Sequence, residues 1–399
     1  MTDTPVFEVI GSPQHDRSSR VEKLSRLGFT WANVGEERYW LDQVVAMRED
    51  VYLEMESACS RLWMIFDKAA RFAIGRHDIY AMIAIPEVLW KGLDELTPYP
   101  AGFLSRYARF DFAVSGAGEV KLLELNADTP TGYVEASVAT PWMCEQYGVS
   151  SPNIRMPELV AAAWSEERPD TASCVAYGEH AEDSGTIDML VKHSGQTVKC
   201  VDCLDLWVDN GVLKDSDGRP IRSMFALYPK EWMAIDDGGD ALAYAIENGN
   251  LQMSNSMHAI LLQSKGLQAL IWGLYELNML FDDKERETIG KYMLPTYNKA
   301  VFDGSYVSKS MFGREGGSVK LYNEKGVLEE KDEAGFDTSR LFPRVYQKRA
   351  ELAQIELAEG RFHLLTGMFV INGIPCGLLG RAGGQITGNT SHFVAIGVK

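Results

Sequence analysis

The sequence predicts an α/β protein, and three stretches of its 399 residues carry that prediction. Residues 109–126 read as two strands joined by a Gly-containing turn, because apolar and polar residues alternate with period two on both sides of it. Residues 156–203 run helix, strand, helix, strand, the order of a parallel sheet of the doubly wound type. Residues 37–96 carry apolar residues at three- and four-residue spacing and read as helix-rich. Hydrophobic residues make up 46% of the chain, enough for a real core, and the length suits two or three domains.

The first of these stretches has the most chemical content. Phe110, Phe112 and Val114 alternate with Arg109, Asp111 and Ala113, and Leu123 and Leu125 with Glu124 and Asn126. Gly116-Ala117-Gly118 supplies a permissive backbone for a tight hairpin. If Ala117-Gly118 form a two-residue turn, Asp111 pairs with Glu124 and Arg109 with Asn126, and all four side chains share one face. Two opposed carboxylates repel, and a hard cation such as Mg²⁺ removes the conflict through oxygen ligands. The alternative is a solvated polar face. The polar run Asn126 to Thr131 then leads toward a helix expected near Gly132.

Along the rest of the chain, residues 1–30 read as a lead-in and first helix. Met55, Trp63, Met64 and Phe66 are assigned to the core, and Pro86 starts or kinks a helix. In the second unit, Glu179, Glu182 and Asp183 follow the end of the strand SCVAYG. Open α/β sheets bind ligands there, and carboxylates also favour the first turn of a helix. The segment 211–224 reads as a hairpin. In the third unit Lys265 begins an apolar helix and Lys309 ends the strand SYVSK. The loop SMFGREGG follows, with glycines that let backbone N–H groups approach phosphates, but no GKS or GKT, which excludes a P-loop fold. Residues 324–340 form a charged surface excursion. Arg381 leaves an apolar strand beside the Gly-rich AGGQITGNTS, where its planar fork suits a carboxylate or phosphate, or else a structural Asp.

Composition excludes several classes. A net charge of −17 and a sequence pI near 4.9 oppose a general nucleic-acid binder and are compatible with a cationic substrate. No apolar run has the length of a signal or membrane-spanning segment, so a cytoplasmic protein without a membrane partner is expected. The six cysteines include one CxxC, Cys200 to Cys203, with no second pair; it falls in a predicted strand and reads as core rather than as a zinc or redox site.

Several of these segments together resemble one family. Arg109-Phe110-Asp111, Glu124 to Thr131, Tyr228 to Trp232, Ser264 to Leu267, Lys309 with Gly313 to Gly316, Gly380-Arg381 and Ile386 to Ser391 are similar, in this order, to the glutathionylspermidine synthase family of ATP-grasp ligases. The resemblance runs from about Trp31 to the end and implies an ATP-grasp fold with interlocked subdomains. It divides the chain into a lead-in (1–30), a helical region with the hairpin (31–155), an α/β substrate-binding subdomain (156–254) and a nucleotide-binding subdomain (255–399).

By resemblance, Asp111, Glu124 and Asn126 hold Mg²⁺, and Lys265, Lys309, Gly313, Glu315, Gly316 and Gln347 bind ATP. Arg109 and Arg381 serve the chemistry, and Thr129, Glu182 and Asp183 meet the substrates. The implied reaction joins a small carboxylate to an amine, of peptide or polyamine type, through an acyl phosphate. The alternatives are a nucleotide-binding regulator and a carboxylate kinase without an amine acceptor. Homo-oligomerisation is left open. Some relatives carry a preceding amidase domain, and none is expected here. Ser310, Ala395-Ile396 and Lys230 stand where the family commonly has Pro, Pro-His and Trp, so the acid and amine also remain open.

Overall fold

The computed structural model describes residues 4–12, 16–99, 101–165, 172–176, 178–234, 237–314, 316–332 and 341–399. Its largest sheet has eight strands. In spatial order they are Phe7–Ile10, Trp40–Met47, His392–Val398, Ile374–Gly383, Gly360–Ile371, Tyr107–Val114 and Val120–Asn126, with Gln354–Leu357 also paired to Gly360–Ile371. The C-terminal strands therefore lie between strands from the first third of the chain. Only the pairing of Trp40–Met47 with His392–Val398 is parallel.

Two of these strands differ from the sequence expectation. Phe7–Ile10 lies in the predicted lead-in, and Trp40–Met47 in the predicted helix-rich region. All eight residues of Trp40–Met47 are buried, so no polar face interrupts the run, and a short apolar run has no period that separates strand from helix. Its one acid, Asp42, pairs with Arg20 at 2.7 Å. The true helix is Glu49–Ala73, whose Trp63 and Phe66 meet Phe110 edge-on with centroids 6.4 and 5.5 Å away. Met55 is buried with them, but Met64 is 64% exposed and does not belong to the core.

The hairpin pairs Asp111 with Glu124 and Arg109 with Asn126, as the alternation requires, but by a different route. The turn holds three residues, Gly116 to Gly118, closed by Ser115 N–H donating to the Glu119 carbonyl at 3.0 Å. That alone would place Glu124 out of step. A bulge follows: Phe112 pairs with Leu122 while Asp111 pairs with Glu124, so Leu123 is the extra residue. It returns Glu124 and Asn126 to the face of Asp111, while Val120, Leu122 and Leu125 stay buried.

The second sheet is parallel, ordered Gln252–Met253, Ser223–Ala226, Ala172–Ala176, Lys199–Asp202. It matches the expected helix and strand alternation, with helices Met156–Trp164 and Ala181–Ser194. The expected hairpin at 211–224 turns at Asp215 to Arg219, with Ile221 N–H donating to the Leu213 carbonyl at 2.8 Å and Lys214 bridging Pro220. Val212–Lys214 pairs on its other side with Trp207–Asp209. Cys200 sits in Lys199–Asp202, and burial raises its thiol to about 12, far from a reactive thiolate. The third sheet is antiparallel: Thr296–Tyr297, Arg344–Lys348, Tyr306–Ser310, Lys320–Tyr322, Leu328–Lys331. Part of the expected surface excursion, 333–340, lies outside the described residues. Among the described residues no helix is long and apolar enough to cross a membrane.

Phe110 joins the long helix to the central sheet. Phe110→Ala should cost about 3–5 kcal/mol of stability, read from the urea midpoint. A loss below about 1 kcal/mol would mean that this contact does not hold the helix to the sheet.

Candidate active site

The hairpin's polar face is a chain of charges. Arg109 donates to both oxygens of Asp111, Nε to Oδ1 at 2.6 Å and Nη2 to Oδ2 at 2.9 Å. Its Nη1 donates to the Thr131 carbonyl at 2.5 Å. Burial opposes the guanidinium charge, and the contact with Asp111 more than restores it. Gly367, opposite Asp111 on the next strand, makes room for this pair: a Cβ there would stand 2.9 Å from Arg109 Cδ and 3.1 Å from Asp111 Oδ1. The Asn126 amide donates to Asp111 at 3.0 Å and reaches Glu124 at 3.4 Å.

Two lysines meet this face from other segments. Lys265, at the start of helix Gly266–Glu276, lies 3.2 Å from Glu124 and donates to the Gly313 carbonyl at 2.7 Å. Lys309, from strand Tyr306–Ser310, donates to the Leu123 carbonyl at 3.1 Å and to Gln347 Oε1 at 2.9 Å. Gln347 in turn donates to Gln268 at 2.9 Å, so its amide is oriented by its neighbours. Burial works against the Glu124 charge, yet the two ammonium groups outweigh it and hold the carboxyl down at about 2. Burial also lowers Lys309 to about 8, against the pull of Glu124. Glu124, Lys265, Lys309, Gly313, Gly316 and Gln347 all line one cavity of about 630 Å³.

The Gly-rich loop closes one wall of that cavity. Gly316 has φ +72°, and a Cβ would stand 2.8 Å from the Thr387 carbonyl, so only glycine lets this loop approach the C-terminal one. Glu315 lies outside the described residues. Arg314 grips Glu231 Oε1 with Nε at 2.8 Å and Nη2 at 2.7 Å, and Thr129 with Nη1 at 2.5 Å. Beside it, Lys230 and Asp128 form a fully buried ion pair. The sequence analysis did not single out Arg314, Glu231, Asp128 or Gly367 as site residues; only the resemblance to known motifs touched the first three.

Arg381 stands on the same sheet face, paired with Leu365, which pairs with Ala113. It donates to the carbonyls of Gly388 at 3.0 Å and Ser391 at 3.2 Å, and its guanidinium lies 5.7 Å from the Tyr39 ring centroid. Glu182 and Asp183 occupy the first turn of helix Ala181–Ser194, with Asp183 3.4 Å from His180. They are apart from the lysine cavity: neither lines it.

Among the described residues no three His, Cys, Asp or Glu side chains converge as a metal cluster. The hairpin instead offers two carboxylates and an amide, an all-oxygen set with too few ligands to close a shell. Such a set fits Mg²⁺ where phosphates and water complete the coordination.

The chain is a mixed α/β protein built on several sheets, and the lysine cavity lies between the hairpin of the largest sheet and the antiparallel third sheet. The chain belongs to the glutathionylspermidine synthase family: the family model described as "Glutathionylspermidine synthase preATP-grasp" matches residues 12–399. A provisionally named acid–amine ligase from Haemophilus influenzae is 26% identical over 416 aligned positions, covering 95% of this chain and 96% of that protein. A solved structure, provisionally named a gamma-glutamylcysteine synthetase from Methylobacillus flagellatus, superposes with a TM-score of 0.46 at 9% identity, covering 85% of this chain and 88% of that one.

Lys309 gives the cavity a pH signature. With its proton affinity near 8, the ammonium is half-neutralised at that pH, and an arriving phosphate raises the affinity again. A phosphate ligand entering the cavity at pH 8.5, with ATP as the probe, should therefore take up part of a proton, seen as a buffer-dependent heat in calorimetry. Lys309→Met should remove the uptake and weaken binding. Uptake that persists in the variant assigns it to another group.

Proposed function

We propose that the protein is an ATP-dependent carboxylate–amine ligase. One observation carries the reading: Lys265 and Lys309 converge on Glu124 inside a cavity of nucleotide size, on the sheet face that also bears Arg109, Asp111 and Arg381. Family membership and the relative named an acid–amine ligase support it. Lys265 and Lys309 would bind the phosphates of ATP with the backbone N–H groups around Gly313 and Gly316, and Gln347 would hold Lys309 in place. Asp111 and Glu124, with Asn126, would hold Mg²⁺, which supplies charge neutralisation on the phosphates.

The chemistry needs alignment more than a protein nucleophile. A carboxylate oxygen of the acid attacks the γ-phosphorus, its bond to the bridging oxygen breaks, and ADP leaves an acyl phosphate. An amine nitrogen then bonds to the acyl carbon, and phosphate departs from the tetrahedral intermediate. Arg109, through Asp111, keeps the hairpin face rigid. Arg381 would stabilise the transferring phosphoryl group and the oxyanion. Thr129 would meet the acid, and Glu182 and Asp183 the cationic amine. The chain's own Lys230, buried against Asp128 where relatives commonly carry Trp, leaves the identity of the acid and amine open.

ADP release measured across a matrix of small acids and amines, with hydroxylamine as a generic trap for acyl phosphate, tests the reading. ADP should appear only with an acid present, and hydroxamate should form with hydroxylamine. Release with an acid but with no amine, and no amide product, would mark a carboxylate kinase instead. With the substrates in hand, Arg381→Ala should lower kcat by about 10²–10³ and Arg381→Lys should restore little. Near-normal turnover would make Arg381 structural.

A further inference from the structure

Glu135 is fully buried and opens the π-helical segment Glu135–Ala139, a local geometry often found at functional sites. Its Oε1 accepts from Trp31 Nε1 at 2.8 Å and from the Tyr39 hydroxyl at 3.0 Å. Its Oε2 is buried with no hydrogen-bond partner. A carboxylate with half of its acceptors unmet inside a protein is strongly disfavoured. A second carboxylate aggravates this. Burial first, and then the charge of Glu182, push the Glu135 carboxyl up to about 7.

The two acids are brought together by Trp31. Its ring occupies the space over Gly185, where a Cβ would stand 2.3 Å from it, so the helix that carries Glu182 rests directly on the side chain that binds Glu135. Tyr39 and Tyr107 also feel the Glu135 charge, and Tyr39 feels those of Glu182 and Arg381 as well. Arg381 donates through Nη2 to the Gly388 and Ser391 carbonyls and, among the described residues, makes no hydrogen bond to either acid. Glu182 is only half-buried and gives the pair its route to solvent.

We propose that Glu135 and Glu182 together form the receptor for the ammonium group of the acceptor, with Glu135 as a specificity-determining carboxylate held by Trp31 and Tyr39. A cation between the two acids meets Oε2 and cancels their repulsion. The receptor selects a primary aliphatic ammonium and discriminates against neutral isosteres. The inference rests on the acid–amine ligase reading and adds to it a residue that the hairpin, the lysines and the Gly-rich loop do not involve.

Calorimetry on the full chain tests it, with butylamine as the probe, 1-butanol as its neutral counterpart, and ATP titrated separately. Glu135→Gln keeps a carbonyl oxygen for Trp31 and Tyr39 and loses the charge. Wild type should bind butylamine, not butanol, and release a fraction of a proton at pH 7 as the cation draws Glu135 toward its ionised form. Glu135→Gln and Glu182→Gln should each weaken butylamine about tenfold, as expected for loss of a charge-assisted contact. Proton release should vanish in Glu135→Gln, and ATP affinity should stay unchanged in both. Unaltered butylamine affinity or persisting proton release in Glu135→Gln overturns the proposal. Should Glu135→Gln not fold, Glu182→Gln decides alone: it must weaken butylamine and reduce the proton release. A wild type that binds ATP but not butylamine refutes the receptor only, whereas one that binds butylamine but never ATP refutes the ligase reading instead.

Discussion

Asp111 and Glu124 face each other across two antiparallel strands, and two anions so placed would ordinarily weaken the ladder that carries them. The rest of the site follows from how that conflict is contained. Arg109 takes both oxygens of Asp111, and Lys265 takes one side of Glu124. A buried ion pair is tolerated only when its partners are fixed and well bonded. Hence the supporting details: the Leu123 bulge that turns Glu124 to the correct face, the absent side chain at Gly367, and the Gln347 amide that orients Lys309. Each is a small feature, and each would be without purpose if the two acids were apart.

The loop after the hairpin ties the three sheets to that face. Gln263 Oε1 accepts from the N–H groups of Ala127 and Asp128 at 2.9 and 3.1 Å. The Asn255 amide accepts from Arg106 and Tyr107 N–H and donates to the carbonyls of Ala127 and Asp128. Lys230 meets the Asp128 side chain, and Arg314 joins Thr129 to Glu231. A loop with this many fixed partners behaves as part of the framework. Its polar sequence, which resembles a flexible turn, is polar because every group is used.

What could be read from the residues alone follows the periodicities. The alternation at 109–126 gave the correct partners, although the turn is one residue longer than counted and the bulge compensates. The parallel sheet was legible because its helices and strands alternate at ordinary lengths. Trp40–Met47 was not, because burial on both faces erases the period-two signal. Lys265 and Lys309 carry no local signature as a pair, since their meeting is a product of three-dimensional folding; resemblance to known motifs supplied what spacing could not. Glu135 was invisible for a different reason. In sequence it is one acid within a helical run, which normally marks a solvent face, and only its complete burial identifies it.

The local charge pattern, rather than the net charge of −17, decides what the cleft can hold. Lys265 and Lys309 stand at one cavity, two cations facing the single carboxylate of Glu124. Glu135 and Glu182 lie outside that cavity, and the charge of Glu182 adds to burial in raising the Glu135 carboxyl. Arg381 shares the sheet face of Asp111 and lies against the Tyr39 ring, whose hydroxyl meets Glu135. On the proposed ligase reading, an anionic ligand would be drawn to the lysines and a cationic one to the two acids. Their reacting groups would, on that same reading, meet near the guanidinium, where negative charge would develop during acyl transfer. On this account selectivity for the acid and the amine is set at the outer walls, and the centre needs only to be rigid.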